Sequence, residues 1–382
     1  MNKISTMINA LFLFSILIVL NSCSNPADPA REAAPINFRA IHAAASETTA
    51  FAIRTNNSLF ATGSNNCYSM GINNYSGGSN WRRVLDDVSF VAAGKEHSLA
   101  VKTDSSLWGT GLNYMGALGL GTLENVTLWT QLLTDIRTAA AGFSFSLALK
   151  TDGTLWAAGH NNRGQLGIST GTFQNEWIQV LTNVVKIAAG FQHSLALRND
   201  GTLWVSGRNS YGQLGLGTTV DISEWTESLS GVKDISCGDL HSFAVMDDGT
   251  LMAAGLNNEG QLGTGDETDR HSWVQVLTGV AKTSAGFYHS LALMEDGSVK
   301  GTGDSVAGQL GTNNWTSYIN TWTTLMPAAS PSEAVIAGKF SSYLIMSGGY
   351  LAVTGLNYDG QLGLGDYRNR KYWYICDGTQ IP

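Results

Sequence analysis

Short runs in which large apolar residues alternate with small or polar ones recur along most of the chain. His193–Arg198 (HSLALR) and 202–207 (TLWVSG) show the period of two that predicts half-buried β-strands. Between them stands Asp200-Gly201, and the same pair recurs as Asp152-Gly153, Asp248-Gly249 and Asp296-Gly297. Asp-Gly between alternating runs predicts a two-residue hairpin turn of type I′, which needs positive φ. Asn56-Asn57, Asp104-Ser105 and Gly348-Gly349 take that place in the other copies. Runs ending in small residues, such as 184–190 (VVKIAAG) and 232–238 (VKDISCG), predict a crowded innermost strand, and the segment around a second Trp predicts a fourth, outer strand.

The pattern has a fixed period. Gly94, Gly142, Gly190, Gly238 and Gly286 are spaced by 48, and Gly338 follows after 52. The outer Trp recurs in every copy as Trp81, Trp129, Trp177, Trp225, Trp273, Trp322 and Trp373. Four strands in each of seven copies predict an all-β fold, a seven-bladed β-propeller of four-stranded antiparallel blades filling residues 36–382. No proline occurs from 36 to 326, as a chain whose N–H groups enter sheet ladders requires. Pro327 and Pro331 fall in the one copy of irregular length, which places its extra residues mainly in the loop after Trp322. Both ends carry complete copies, so ring closure by blade packing is expected.

The amino terminus reads differently. Residues 1–22 hold Lys3 and an uncharged apolar run, 7–20, too short for a comfortable permanent span. Leu20-Asn21-Ser22-Cys23 resembles a bacterial lipobox, so Cys23 is the expected lipidation site and residues 23–35, with three of the six prolines, a flexible tether. These features predict a body lipid-anchored at the cell envelope, on the outer membrane or cell surface, touching the membrane through its anchor alone. Cys67 and Cys376 fall in the first and last copies, which a closed ring brings together. A closing disulfide stays open there beside the simpler reading of buried thiols.

Charged residues make up only 14% of the chain and the formal net charge is −8, which argues against nucleic-acid partners. His97, His193, His241 and His289 share one repeat position, with Phe145 and Ser341 elsewhere. Equivalent positions of different blades lie too far apart for zinc ligation, so packing and hydrogen bonding are expected and no metal site is predicted. Gly-x-Asn-x-x-Gly segments such as Gly207 to Gly212 resemble phosphate loops but precede no helix, so they read as turns and imply no cofactor.

The tetrads Gly164–Gly167, Gly212–Gly215, Gly260–Gly263, Gly308–Gly311 and Gly360–Gly363 read Gly-Gln-Leu-Gly. Together with A-A-G-x-x-H-S-L-A-L and D-G-T-L-W-x-x-G-x-N, the chain resembles the regulator of chromosome condensation repeat family across all seven copies. The resemblance implies a seven-bladed propeller used as a protein-binding platform. The nuclear nucleotide-exchange activity of the family's namesake does not carry over to an exported, acidic chain.

Function is sought where the copies differ. The pairs Lys95-Glu96, Phe143-Ser144, Phe191-Gln192, Asp239-Leu240, Phe287-Tyr288 and Lys339-Phe340 precede the His position, and Tyr114, Arg163, Tyr211, Glu259, Tyr358 and Asp359 stand in the Asn turns. Aromatic and Arg side chains on loops are the composition of binding hot spots. Candidate partner-binding residues are Phe143, Phe191, Phe287, Tyr288, Phe340, Tyr114, Arg163, Tyr211 and Tyr358, with Trp315 from the irregular copy. No Ser/His/Asp or Cys/His set stands in a plausible order. The expected function is therefore a non-enzymatic interaction module, a monomer that binds a protein or a glycan. An envelope enzyme at the channel mouth and an architectural surface protein are the alternatives.

Overall fold

The computed structural model describes residues 39–313 and 318–376. The leader, Cys23, the tether and Trp315 lie outside the described residues. Seven four-stranded antiparallel sheets, residues 40–85, 88–133, 136–181, 184–229, 232–277, 280–326 and 332–375, form the blades of a propeller. In each, the four strands follow one another from the channel outward; in blade 4 they are Val184–Ala189, His193–Arg198, Leu203–Gly207 and Ile222–Leu229. The ring closes without strand exchange, as expected. The long connection falls at 327–331, where other blades use two residues such as 86–87.

The second strand of each blade is buried on both faces, so its alternation separates large from small residues rather than inside from outside. Leu195, Leu197, Leu203, Val205 and Leu214 of blade 4 pack on Val232, Ile235 and Ala244 of blade 5. Ala196, on the opposite face of the same strand, fills the core shared with Leu147, Leu149 and Leu155 of blade 3. Large faces small across every seam, which is what close packing of tilted sheets demands. The seam between blades 7 and 1 follows the rule, with Tyr343, Ile345, Leu351, Val353 and Leu362 against Ala40, Ala43, Ala52 and Trp81. Cys376 is buried in that core and Cys67 is half-buried elsewhere; they are not bonded to one another.

The hairpin turns differ from expectation. Only Gly201 is left-handed, with φ of 80°; it donates to Arg198 O at 3.1 Å, while Arg198 N donates to Thr202 O at 2.9 Å. This is a three-residue loop, a right-handed turn closed by one left-handed residue, rather than type I′. Asp200 belongs there because its Oδ1 accepts from Thr202 N at 3.0 Å and Oγ1 at 2.7 Å. Thr202 Oγ1 in turn accepts from Trp204 Nε1 at 3.0 Å, and the Arg198 guanidinium lies 3.9 Å over that indole ring. A Cβ on Gly201 meets nothing nearer than 3.8 Å, so Gly201→Ala strains only the backbone. It is expected to lower stability by about 1 kcal/mol in urea unfolding, with unchanged binding.

Candidate functional site

Strand alternation sends two sets of loops to one face. The first joins the innermost strand to the second (46–48, 94–96, 142–144, 190–192, 238–240, 286–288 and 338–340), and the second comprises the longer Asn loops such as 208–221. The Asp-Gly turns and interblade links occupy the other face.

The first set is built as a ring. Lys95 N donates to Gly142 O at 3.4 Å, Phe143 N to Phe191 O at 3.3 Å and Phe191 N to Asp239 O at 3.1 Å. Asp239 N donates to Gly286 O at 3.2 Å and Lys339 N to Ser46 O at 3.3 Å. Backbone bonds thus lace neighbouring loops together around the channel mouth. Glycine opens six of these loops, with Ser46 in the seventh, because at the glycines the chain passes too close to its neighbours for a side chain. A Cβ on Gly190 would lie 2.2 Å from His193 Cε1 and 2.6 Å from Gly238 O.

The next residue of each loop therefore faces the mouth. In ring order these are Glu47, Lys95, Phe143, Phe191, Asp239, Phe287 and Lys339. All but Phe287 line a cavity of about 370 Å³ that runs down the channel past Ala44, Ala93, Cys237 and Ser284. Phe143 and Phe191 stack with centroids 4.5 Å apart, and the Lys95 ammonium sits 4.6 Å over the Phe143 ring. Phe287 contacts Tyr288 at 3.9 Å and Phe340 at 6.0 Å, and Lys339 lies 4.8 Å over Phe287 while pairing with Glu47 at 2.7 Å. Burial pushes the Asp239 carboxyl up to about 6; Lys339 opposes this, Glu47 adds to it, and Lys95 opposes it.

The expected residues thus fall into groups. Phe143 and Phe191 form one aromatic shelf, and Phe287, Tyr288 and Phe340 a second. Tyr211 joins Tyr288 in an adjoining depression with Leu240, Leu256, Glu267, Asp269 and His271. Tyr114 stands at the rim, donating to Glu96 Oε2 at 2.6 Å. Arg163 is instead engaged by Asp221 at 3.0 Å, and Tyr358 projects into solvent with 71% of its surface exposed. Glu47, Lys95, Asp239 and Lys339 complete the mouth and were not among the expected binding residues. Three of them stood in the variable pairs; Glu47 escaped because Ser46 replaces the glycine that marks the loop in later copies.

The repeated polar residues are scaffold. Asn209 organises its loop from within: its Oδ1 accepts from Leu214 N at 2.9 Å and its Nδ2 donates to Thr218 O at 2.9 Å. His97, His193, His241 and His289 are fully buried, and each Nε2 meets a Ser Oγ of the next blade, Ser146, Ser242, Ser290 or Ser342, at 2.8–2.9 Å. Cys237 lines the channel, but burial pushes its thiol up, away from the reactive thiolate. The arrangement offers aromatic faces and charges on a stiff frame, suited to binding.

A family model described as an RCC1-like domain matches residues 80–374. Among solved structures the chain is similar to yeast RCC1 (Prp20) bound to Kap60, with TM-score 0.73 at 20% identity, over 96% of this chain and 90% of that one. It is likewise similar to Prp20p of Saccharomyces cerevisiae, described with its binding to Gsp1p and histones (0.72, 22%, covering 85% and 86%). Human WBSCR16 is similar at TM-score 0.70 and 21% identity, covering 78% and 84%. No curated protein matches the chain in sequence. The seven-bladed architecture, the repeated Gly-Gln-Leu-Gly loops and a family match over most of the propeller make this chain a member of the RCC1-like domain family.

Proposed function

We propose that this protein is a non-enzymatic interaction module, displayed at the bacterial cell envelope by lipidated Cys23, that binds a protein partner through the laced loops at its channel mouth. One observation carries the reading. Seven loops that the fold must bring together present, in place of a repeated residue, two aromatic shelves and four charges. Scaffold positions repeat because every blade needs them; these do not, and they sit on a frame that loses little entropy when a partner docks. The yeast relative Prp20 is described bound to Kap60, so one protein of this fold is found in complex with a protein partner. At such low identity its partners are not carried over.

Crosslinking on intact cells, followed by recovery of the protein through an affinity tag, tests the reading. A partner recovered with the wild type is expected to be lost on joint Phe191→Ala and Phe287→Ala substitution, with the thermal unfolding transition retained. Truncating two anchor aromatics is expected to weaken binding by about 2–4 kcal/mol. Undiminished capture by the doubly substituted protein overturns the assignment. Release of Cys23→Ser protein from membranes into the soluble fraction checks the anchor separately.

A further inference from the structure

Four consecutive loops of the mouth carry a pattern that the other three lack. In ring order, Lys95, Phe143, Phe191 and Asp239 set a cation at one end of the first aromatic shelf and a carboxylate at the other, and all four line the channel cavity. Their loops are laced in that order, Lys95 N to Gly142 O, Phe143 N to Phe191 O and Phe191 N to Asp239 O. Lys95 lies over Phe143 and Asp239 is half-buried, and neither makes a side-chain hydrogen bond or ion pair among the described residues. The other two charges of the mouth, Lys339 and Glu47, are spent on one another at 2.7 Å, and Glu96 is taken by Tyr114 and Ser144. Burial raises the Asp239 carboxyl while Lys339 and Lys95 oppose the rise, so these charges act on one another across the cavity. Beneath the shelf, six of the seven innermost strands end on Ala and the seventh on Cys237, which leaves a throat walled by small uncharged side chains.

A cavity with one uncommitted charge of each sign at opposite ends of an aromatic floor matches a ligand with the same two charges reversed and an apolar body between them. Carboxylate on Lys and ammonium on Asp are charge-assisted hydrogen bonds, stronger where water is partly shut out. The volume of about 370 Å³ suits a small molecule, since such sites occupy about 300–1,000 Å³. Spacing then selects among zwitterions. The Lys95 ammonium is 4.6 Å from the Phe143 ring centre, that centre is 4.5 Å from the centre of Phe191, and Asp239 stands one loop further on. A free amino acid carries both charges on one carbon, whereas each added residue parts the ends by about 3.3–3.6 Å. We propose that the channel mouth binds a short peptide with free ends, two or three residues long, its α-carboxylate on Lys95, its α-ammonium on Asp239, and an apolar side chain resting on the Phe143–Phe191 shelf and entering the alanine-lined throat. This ligand is additional to the protein partner and sits within the cavity that the rim surrounds.

Isothermal titration of the intact protein with Ala-Leu-Ala tests it. The free tripeptide is expected to bind, and its N-acetyl form, its C-terminal amide and free leucine each to bind about ten-fold or more weakly. Lys95→Met is expected to erase the preference for a free carboxylate and keep that for a free ammonium, and Asp239→Asn to do the reverse. Lys95→Arg, which keeps the charge, is expected to retain both. Each preference is a ratio measured within one protein, so a general loss of stability does not imitate its selective disappearance. Wild-type protein that binds the capped peptides or free leucine as tightly as Ala-Leu-Ala, or that fails to bind Ala-Leu-Ala at millimolar concentration, would overturn the site. So would both preferences surviving in both charge-removing variants. If the tripeptide fails while cellular capture still depends on Phe191 and Phe287, the binding face stands and only the peptide site falls.

Discussion

Acidification from about pH 7 to about pH 5 is expected to destabilise the propeller by on the order of 8 kcal/mol through four histidines alone, about 2 kcal/mol each. Burial lowers His97 to about 4 and His193, His241 and His289 to about 3, from an ordinary value of 6.5. The hydrogen bonding explains why the neutral ring is preferred. Ser290 Oγ donates to Gln261 O at 2.8 Å, so it must accept from His241, whose Nε2 therefore carries the proton. Nδ1 is then a bare lone pair beside Gly238, and a second proton there would be a buried N–H with no acceptor. Because the folded values lie below the unfolded ones, the unfolded chain binds more protons. The stability is fully present above 6.5 and is lost as pH falls from 6.5 toward the folded values.

Urea unfolding at a series of pH values reads this as a slope approaching four protons per pH unit between about pH 6 and about pH 4. Such a loss rivals the whole net stability of a folded domain, about 5–15 kcal/mol. His42, also lowered by burial, acts in the same direction. A flat profile down to pH 5 would sink the account. Phe145 shows how to separate the ring from the repeat, since it fills the same buried position in blade 3. His241→Phe is expected to remove one proton from the slope and to gain about 2 kcal/mol over the wild type at about pH 5. Ser290 retains Gln261 O as acceptor, just as Ser194, which follows Phe145 in the ring, donates to Gln165 O at 2.6 Å.

The scaffold was legible in the chain because a closed ring places equivalent residues in equivalent surroundings. A position such as Trp177, Asn161 or Gly164 is fixed by contacts that recur at each seam, so its period betrays its role. The turn was misjudged for a physical reason. Asp-Gly suits both type I′ and the longer loop, and what decides between them is the Asp200 carboxylate reaching Thr202, a bond that no periodicity reveals. The aromatic half of the mouth was legible as a break in symmetry. Its charged half was only partly so, because whether a carboxylate is a ligand or a spectator depends on its partners. Glu96 is occupied by Tyr114 and Ser144, whereas Asp239, at the neighbouring position of another loop, is not. Arg163 looked like an anchor in sequence and is spent on Asp221.

Trp81→Ala is expected to lower stability by about 3–5 kcal/mol and to open the ring at one place. Each Gly-Gln-Leu-Gly loop ends on a left-handed glycine pressed against the outer Trp of the following blade. A Cβ on Gly167 would lie 2.1 Å from Trp225 Nε1, and one on Gly363 would lie 2.2 Å from Trp81 Nε1. At six seams this latch reinforces a chain that already runs from one blade into the next. Between blades 7 and 1 no such link exists. The seam depends on Trp81 in its core, the Asn80–Leu364 bridge, Ala40 N donating to Gly349 O at 2.8 Å, and the Lys339–Glu47 pair. Trp129, whose Nε1 donates to Met70 O at 3.0 Å, is the matched control at a covalently continued seam. Trp129→Ala is expected to show a loss of similar size but to leave unfolding cooperative. In Trp81→Ala, and more severely in Gly363→Val, hydrogen exchange is expected to rise first in blades 1 and 7, ahead of global unfolding. Uniform exchange across all blades in both Trp variants would mean that the closing seam is held no differently from the rest. The distinction bears on binding too, because the Lys339–Glu47 pair spans that same seam, so a ring that opens there disassembles the mouth.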